Sequence, residues 1–332
     1  MALGYCSAEG ELEQGVSMTP VVSVIMPAFN TGRWIQKAIE SVLDQTLTDV
    51  EVLVVDDGST DNTVEVVRGI RDERVRLFCQ PRNCGVSAAR NRALDEAQGR
   101  WMAILDSDDW FARRDRLASL VALGEEHNAD MVADDLYLVE DDKDYAWTTL
   151  FSEKKLRFEK PQWIDLLMFV RHDLGPIKPL LRIDFLRKHR LRYHENLRFA
   201  EDWAFYVECL LAGGRLILAP WAGYVYRMRQ GSLTRGGLSV LNQLESNYRH
   251  YLEDHRLKAY PEVLAVLQKQ LAMVRENRRY YRVMAPLKEK KLARALVELA
   301  HTPDFIWLFV RRLPRIVSYR VRHRLVRLDL PR

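Results

Sequence analysis

Carboxylates at the ends of apolar segments are the residues of this chain whose types and spacing point to chemistry. Asp106 and Asp108 stand two positions apart directly after an apolar run, and Asp56-Asp57 follows another. Two carboxylates at a strand end can hold a hard divalent cation, and Mg²⁺ and Mn²⁺ commonly complete their coordination with substrate phosphates. Such a metal stabilises a departing diphosphate as a Lewis acid. Asp-Ser-Asp is also an ordinary loop or capping sequence, so its surroundings decide between the two interpretations.

Apolar runs alternate with amphipathic segments between Val21 and Asp134, which predicts an α/β fold with a parallel sheet covered by helices on both faces. The predicted strands are residues 21–26, 50–55, 75–79, 101–105 and 130–133. Ligands of such sheets bind beyond the carboxyl ends of the strands. The polar segments 27–30, 56–59 and 106–109 all lie at those ends, so we expect them to form one site.

The pattern is weaker after Asp134. It predicts a solvated acidic loop at residues 139–144, helices at 161–170 and 184–190, a helix that begins near Glu201, and a strand at 216–226. From about residue 238 the chain is helical and charged. We therefore expect a flexible tail at 1–19, one α/β domain at 20–236 and a helical region at 237–332.

Several classes of protein are excluded or disfavoured by the composition. The 332 residues include four cysteines, too few for a disulfide scaffold, and no apolar stretch approaches the roughly 18 residues that span a bilayer. The first 19 residues do not resemble a signal peptide. The sequence contains no G-x-G-x-x-G after the first strand, no P-loop and no H-E-x-x-H. We expect a cytoplasmic or membrane-peripheral protein without a dinucleotide or zinc motif.

Basic charge is concentrated at the C-terminal end. Residues 271–332 contain 16 Lys and Arg but five Asp and Glu, a net charge of +11 in a chain whose total is +4. Beyond Pro314, the side chains of Val317, Val321, Leu325 and Leu328 share one helical face flanked by arginines. A basic amphipathic helix is typical of an anionic membrane interface. A strand, or a helix packed on the domain, remains an alternative. Nucleic acid is not an expected partner, because a stacking platform of aromatic residues is missing.

Five motifs, in order, resemble the motif series of family 2 glycosyltransferases. They are VSVIMPAFN at 22–30, VVDDGSTD at 54–61, GVSAARN at 85–91, DSDD at 106–109 and EDW at 201–203. The resemblance extends over roughly residues 20–235. It implies a GT-A fold, a nucleotide-sugar donor and a Mn²⁺ or Mg²⁺ cofactor.

The resemblance also implies a role for individual positions. In the donor site it places Pro27, Phe29, Asn30, Asp57, Arg90, Asp106 and Ser107. Within that set, Asp57 would bond the edge of the base and Asp106 would face the ribose. Asp108 would coordinate the metal on the diphosphate.

The Glu-Asp pair of the last motif supplies the catalytic candidates. Asp202 would be the general base that takes the proton of the acceptor hydroxyl, and Glu201 would support it or the acceptor. A single displacement opposite the leaving diphosphate inverts the anomeric centre.

Each of these positions has a structural alternative. Asp61 is suited to capping a helix, Arg90 to a structural ion pair, and Glu201 to the first turn of a helix. Lys178 and Arg235 are suited to phosphate contacts and equally to the surface. Among the eight histidines, which show no metal-ligand spacing, His194 is the one near the Glu-Asp motif.

The resemblance therefore implies an inverting, metal-dependent hexosyltransferase. Glucose from UDP-glucose is the first choice of donor, and a growing, lipid-linked bacterial exopolysaccharide or surface saccharide is the expected acceptor. The basic tail would hold the enzyme on the inner face of the cytoplasmic membrane. Alternatives are a non-catalytic nucleotide-sugar-binding protein, which needs no base, and a membrane scaffold that consumes no nucleotide-sugar.

Overall fold

A ten-stranded sheet runs through the centre of the protein. The computed structural model describes residues 19–141, 143–197, 199–229, 237–313 and 326–331. The strands are β1 (Val22–Ala28), β2 (Val50–Asp56), β3 (Val75–Cys79), β4 (Trp101–Ile104), β5 (Trp110–Phe111), β6 (Met131–Glu140), β7 (Ala146–Thr149), β8 (Gln162–Ile164), β9 (Leu180–Arg182) and β10 (Leu216–Met228).

Helices cover the sheet and continue beyond it. They are α1 (Ile35–Leu43), α2 (Thr63–Gly69), α3 (Val86–Glu96), α4 (Arg116–Glu126), α5 (Leu150–Glu153), α6 (Leu166–His172), α7 (Ile183–His189), α8 (Glu201–Leu211), α9 (Leu238–Glu253), α10 (Pro261–Lys288) and α11 (Leu292–Ala300). A further helical segment occupies residues 305–313. Within the described ranges, no helix is both long and apolar enough to cross a bilayer.

The strand order is β3-β2-β1-β4-β9-β6-β10-β5, with β7 paired to β6 and β8 to β10. The first four strands of this order are parallel, whereas β9 is antiparallel to both of its neighbours. Every residue of β1, β2 and β4 is buried, as expected for parallel strands covered on both faces. The mixed α/β sheet and the first four predicted strands are confirmed. The carboxyl ends of β1, β2 and β4 consequently meet at one edge.

The fifth strand is longer than predicted. β6 continues to Glu140, and Val139, which we placed in a solvated loop, is fully buried. Two carboxylates lie inside the strand, just beyond its predicted end at residue 133, and both have partners. Asp134 pairs with Arg116, and one oxygen of Asp135 accepts hydrogen bonds from the amides of Leu136 and Phe151.

The helix predicted at 161–170 is wrong in its first half. Gln162–Ile164 is strand β8, which pairs antiparallel with the start of β10. Asp165 then accepts a hydrogen bond from the amide of Met168 and caps α6. The helix near 184–190, the helix that begins at Glu201 and the strand around Pro220 are confirmed as α7, α8 and β10.

The C-terminal helices pack on the sheet domain. Tyr248 and Tyr251 of α9 make edge-on contacts with Trp203 of α8 and belong to the same apolar core. Near the end of the chain, Leu328 forms an antiparallel bridge with Ala146 of β7. The prediction that Leu328 continues a helical face is therefore wrong, because its backbone pairs with an edge strand. The predicted helix through Val317, Val321 and Leu325 lies outside the described residues.

Candidate active site

The guanidinium of Arg90 joins the two acidic motifs. Arg90 lies on α3 and is 2% exposed. One terminal nitrogen donates to Glu201 (2.9 Å) and to Asp202 (2.7 Å), and the other donates to Asp106 (2.8 Å). The loop after β4 and the first turn of α8, far apart in sequence, are thus held together by one buried cation.

Lys178 makes a second bridge between the same motifs. Its ammonium, which belongs to a residue only 3% exposed, lies 2.8 Å from Asp106 Oδ2 and 2.7 Å from Asp202 Oδ2. Burial alone would lower the pKa of Lys178, but the two carboxylates raise it well above its ordinary value. Burial alone would raise the pKa of Asp106, but Lys178 and Arg90 hold it far below its usual range. The surface alternative for Lys178 is therefore wrong.

The cluster contains more negative than positive groups. Two cations, Arg90 and Lys178, face the three carboxylates of Asp106, Glu201 and Asp202. Burial, followed by repulsion from Asp202, raises the pKa of Glu201. The environment of Glu201 thus favours its protonated form.

A second buried ion pair fixes the backbone of Lys178. Arg116 and Asp134 are almost fully buried and pair at 2.7 Å. Arg116 also donates a hydrogen bond of 2.9 Å to the carbonyl oxygen of Lys178. The backbone of Lys178 is therefore fixed by a neutralised charge pair, and no pattern in the sequence indicated either member of that pair as part of the site.

The carboxylates of the loop after β4 have different environments. Asp109 accepts hydrogen bonds from the Tyr224 hydroxyl and the Arg227 amide, both 2.7 Å long. Burial and the neighbouring Asp108 raise the pKa of Asp109 well above its ordinary value. Asp108 instead pairs with Arg229, whose Nε lies 2.5 Å from Asp108 Oδ2. Asp109 thus joins the loop to β10, whereas Asp108 forms an ion pair with Arg229 at the cavity.

These contacts decide which carboxylate is suited to a metal ion. Both oxygens of Asp106 are engaged by Arg90 and Lys178, so Asp108 is the carboxylate of the motif that suits a metal. The described residues contain no cluster of three or more His, Cys, Asp or Glu that suits a metal ion. Mg²⁺ is commonly bound through one or two carboxylates together with substrate phosphates. Asp108 could therefore hold a metal ion only together with phosphate oxygens of a substrate.

A cavity of about 840 Å³ adjoins the cluster. Its lining includes all the donor-site and catalytic residues that the resemblance implied, namely Pro27, Phe29, Asn30, Asp57, Arg90, Asp106, Ser107, Asp108, Glu201 and Asp202. Phe29 is 42% exposed, so its ring is accessible from the cavity. The structure thus brings the predicted residues to one place. Their individual roles toward a donor stay predictions.

Asn30 connects the loops that follow β1 and β2. Its backbone is in the left-handed region (φ 52°), where asparagine is tolerated better than most residues. The Asn30 side-chain oxygen accepts hydrogen bonds from the amides of Thr60 (2.8 Å) and Asp61 (3.3 Å). Asp61 in turn accepts from the amides of Gly32 and Thr63, at the start of α2, although the N-cap residue of this helix is Asn62 and not Asp61 as predicted.

Asp57 has a structural role that the sequence did not reveal. One of its oxygens accepts from the Gln80 side chain (2.8 Å) and the Cys84 amide (2.7 Å), and the other accepts from the Gly85 amide (2.8 Å). Gly85 immediately precedes α3. Asp57 therefore fixes the start of the helix that carries Arg90, in addition to lining the cavity.

Part of the cavity wall comes from α9, beyond the predicted domain boundary. Leu244, Asn247 and Tyr248 line the cavity, and no motif in the sequence pointed to them. For Lys178 a signal was present, because a single lysine in the apolar run from Ile177 to Leu181 favours burial. His194 is exposed and does not line the cavity. Arg235 lies outside the described residues.

Comparison with known proteins identifies the family. The family model "Glycosyl transferase family 2" matches residues 23–177. The succinoglycan biosynthesis protein ExoO of Rhizobium meliloti is 34% identical over 288 residues, which cover 85% of this chain and 81% of ExoO. This chain belongs to glycosyltransferase family 2. ExoU of the same organism, also named a succinoglycan biosynthesis protein, is 32% identical over 79% of this chain and 75% of its own length.

Solved structures confirm the fold of this family 2 glycosyltransferase. S. aureus TarS, residues 1–349 in complex with UDP-GlcNAc, has a TM-score of 0.59 at 20% identity, over 82% of this chain and 89% of that one. The mannosyltransferase PcManGT of Pyrobaculum calidifontis, in complex with GDP-Man and Mn²⁺, has a TM-score of 0.57 at 19% identity, over 88% and 84%. The glycosyltransferase has the GT-A fold that the motifs implied.

Proposed function

We propose that this glycosyltransferase moves a hexose from a nucleotide-sugar, with UDP-glucose as the first choice, onto a growing bacterial exopolysaccharide with inversion at the anomeric carbon. One observation carries the proposal. Arg90 and Lys178 bring Asp202, at the start of α8, to the same cavity edge as Asp106 and the donor-side loops. A non-catalytic binding protein does not need a carboxylate fixed at that position.

The proposed reaction is a single displacement. Asp202 takes the proton of an acceptor hydroxyl as its oxygen attacks the anomeric carbon, and the bond from that carbon to the donor diphosphate breaks. Because Arg90 holds one oxygen of Asp202 and Lys178 the other, the carboxylate has a fixed orientation. Fixed orientation of a base and its reactants supplies much of the rate enhancement of such reactions.

Asp108 is the proposed ligand of Mn²⁺ or Mg²⁺. When bound, such an ion neutralises charge on the departing diphosphate. Arg229, which pairs with Asp108, brings a further positive charge to the same end of the cavity. Phe29 and Asn30 would line the base and ribose end, with Asp57 and Asp106 as hydrogen-bond acceptors.

The acceptor is proposed from the relatives. ExoO and ExoU carry names that assign them to succinoglycan biosynthesis, which supports a role in polysaccharide assembly. We propose an acceptor linked to a polyprenyl-diphosphate carrier and a peripheral position on the inner face of the cytoplasmic membrane. The excess of basic residues after residue 270 supports that position.

A panel of sugar nucleotides tests the proposal. UDP-, GDP- and TDP-sugars are offered with Mn²⁺, with Mg²⁺ and with EDTA, and both binding and release of the nucleoside diphosphate are measured. We expect one UDP-sugar to bind in a metal-dependent way and to be consumed. Binding without consumption in the presence of lipid-linked acceptor extract would favour the non-catalytic alternative. No binding of any donor would contradict the proposal altogether.

A further inference from the structure

Exposed apolar side chains are concentrated at one end of the described chain. Among the residues that the structure describes, 14 large hydrophobic side chains are exposed, and ten of them lie between residues 287 and 313. Single exposed hydrophobic residues are normal, whereas a contiguous set marks an interaction surface. The cavity of the active site does not use any of these ten residues.

α11 presents its larger side chains to the outside. Leu292, Leu296 and Leu299 follow the i, i+4, i+7 spacing of one helical face and are 65%, 67% and 39% exposed. The residue of α11 that is buried is Ala295, at 3%. A helix stabilised by its own domain normally buries leucines and exposes alanine. This reversed arrangement leaves the leucine face of α11 uncovered by the residues that the structure describes.

Residues 305–313 also present an apolar face to the outside. Ile306, Val310 and Leu313 have the same i, i+4, i+7 spacing, and each is at least 38% exposed. On its other side, Leu308 is fully buried and Phe305 stacks on Tyr280 of α10. The segment is thus anchored to the protein through one face and presents an apolar face on the other.

The charges around these faces are mainly positive. Residues 287–313 contain six basic side chains, namely Lys288, Lys290, Lys291, Arg294, Arg311 and Arg312, and three acidic ones. All three acids form ion pairs: Glu289 with Lys291, Glu298 with Arg282 and Asp304 with Arg279. An apolar face bordered by basic residues fits an anionic phospholipid surface.

We propose that the leucine face of α11 (Leu292, Leu296, Leu299) and the exposed face of 305–313 (Ile306, Trp307, Val310, Leu313) together insert into the interface of an anionic membrane. A second copy of the chain is a poorer occupant, because pairing these faces would bring their basic borders together. Trp307, 57% exposed, is a residue type enriched at membrane interfaces. Membrane insertion would bring the cavity near a lipid-linked acceptor. Only this benefit, and not the insertion itself, rests on the proposed function.

The test uses the full chain and vesicles of phosphatidylethanolamine with phosphatidylglycerol, compared with vesicles of phosphatidylcholine alone. We expect the chain to sediment with the anionic vesicles at low salt. Leu296→Glu and Val310→Glu should each weaken binding by roughly tenfold or more, because a carboxylate replaces an inserted apolar side chain. Tyr260→Glu is the matched control. Tyr260 is 43% exposed and roughly 30 Å from Tyr280 along α10, so its variant should bind like the wild type.

Fluorescence separates insertion from simple charge attraction. Lipids brominated in the acyl chains should quench part of the emission of the bound protein, and Trp307→Phe should remove that part. Truncation after residue 313 should weaken binding yet leave the quenching in place. If truncation abolishes binding while Leu296→Glu has no effect, the membrane element is the tail and the inference is wrong. A dimer that Leu296→Glu dissociates would also overturn it, since a second copy would then cover the face.

Donor consumption is measured on the same preparations. A chain that binds vesicles but consumes no nucleotide-sugar would contradict the proposed function and leave the membrane inference intact. A chain that transfers sugar but does not bind anionic vesicles would contradict the membrane inference and leave the proposed function intact.

Discussion

Lys178 Nζ lies 2.7 Å from Oδ2 of Asp202, and the same ammonium lies 2.8 Å from Oδ2 of Asp106. Together with Arg90, which bridges the same two residues, this buried cation sets the spacing between the carboxylate proposed as base and the carboxylate proposed to face the donor. Arg116 holds the backbone of Lys178 from the other side. The geometry of the proposed reaction thus depends on a residue outside the two acidic motifs.

Lys178→Met should lower the kcat of sugar transfer by about 10²-fold, because Asp202 loses one of its two fixed contacts. It should also destabilise the fold by about 3–5 kcal/mol, since a buried ion pair loses one partner. Lys178→Arg should restore part of kcat. Steady-state kinetics and urea unfolding measure the two effects separately. A loss of stability with unchanged kcat would leave Lys178 with a purely structural role.

Asp202→Asn should leave UDP binding intact and reduce transfer by roughly 10²–10⁴-fold, because the amide keeps the shape but does not accept the proton. Asp173→Asn is a suitable control. Asp173 also lines the cavity, pairs with Lys154 and has a left-handed backbone that asparagine tolerates. Calorimetry with UDP and a transfer assay compare the two variants. Normal transfer by Asp202→Asn would move the role of base to Glu201 or another group.

Mn²⁺ should bind weakly to the protein alone and at least about tenfold more tightly when UDP is present, because Asp108 needs the phosphate oxygens to complete the coordination. Asp108→Asn should remove most of this UDP-dependent binding and reduce turnover by about 10²-fold. Titration of Mn²⁺ followed by electron paramagnetic resonance measures free metal directly. Equal affinity with and without UDP, or full turnover in EDTA, would contradict the assignment.

Asp135→Asn should stabilise the fold above pH 6 by on the order of 2–3 kcal/mol. Burial raises the pKa of Asp135 to about 6, so the folded state holds this proton more tightly than the unfolded state. The wild type therefore loses stability as pH rises from about 4 to 6, and the amide variant does not. Asparagine can keep both backbone hydrogen bonds, since the Leu136 and Phe151 amides donate to one oxygen. Urea unfolding at pH 4 and pH 7 checks that the difference disappears at the lower pH.

Gly58→Ala should destabilise the fold by more than Gly213→Ala. Both glycines have positive φ, +75° and +88°, so both variants carry the left-handed penalty of about 1–2 kcal/mol. An added Cβ at Gly58 would lie 2.8 Å from the carbonyl carbon of Arg82 and 2.9 Å from the amide nitrogen of Asn83, whereas the space at Gly213 is open. Thermal unfolding compares the variants, and UDP binding should weaken in Gly58→Ala alone. Equal losses of stability in the two variants would show that the backbone of Arg82 and Asn83 moves aside at no cost in free energy.

The sequence by itself determined the parallel half of the sheet and the position of the site. β1, β2 and β4 are continuous apolar runs that end in polar clusters, and both features are local, so they can be read without knowing the partners of any residue. Because parallel strands align their carboxyl ends, the grouping of residues 27–30, 56–59 and 106–109 followed from that pattern. The ordered motifs determined the family for the same reason.

Only the tertiary structure decided which charges meet and which apolar faces are left exposed. The predicted fifth strand ended at residue 133, yet β6 continues through Asp134, whose charge is neutralised by the distant Arg116. Periodicity showed neither that Lys178 would be buried between two motifs nor that α11 would bury Ala295 and expose Leu296. Helical spacing defines a face but not its neighbour, because the neighbour is set by contacts between segments far apart in the chain.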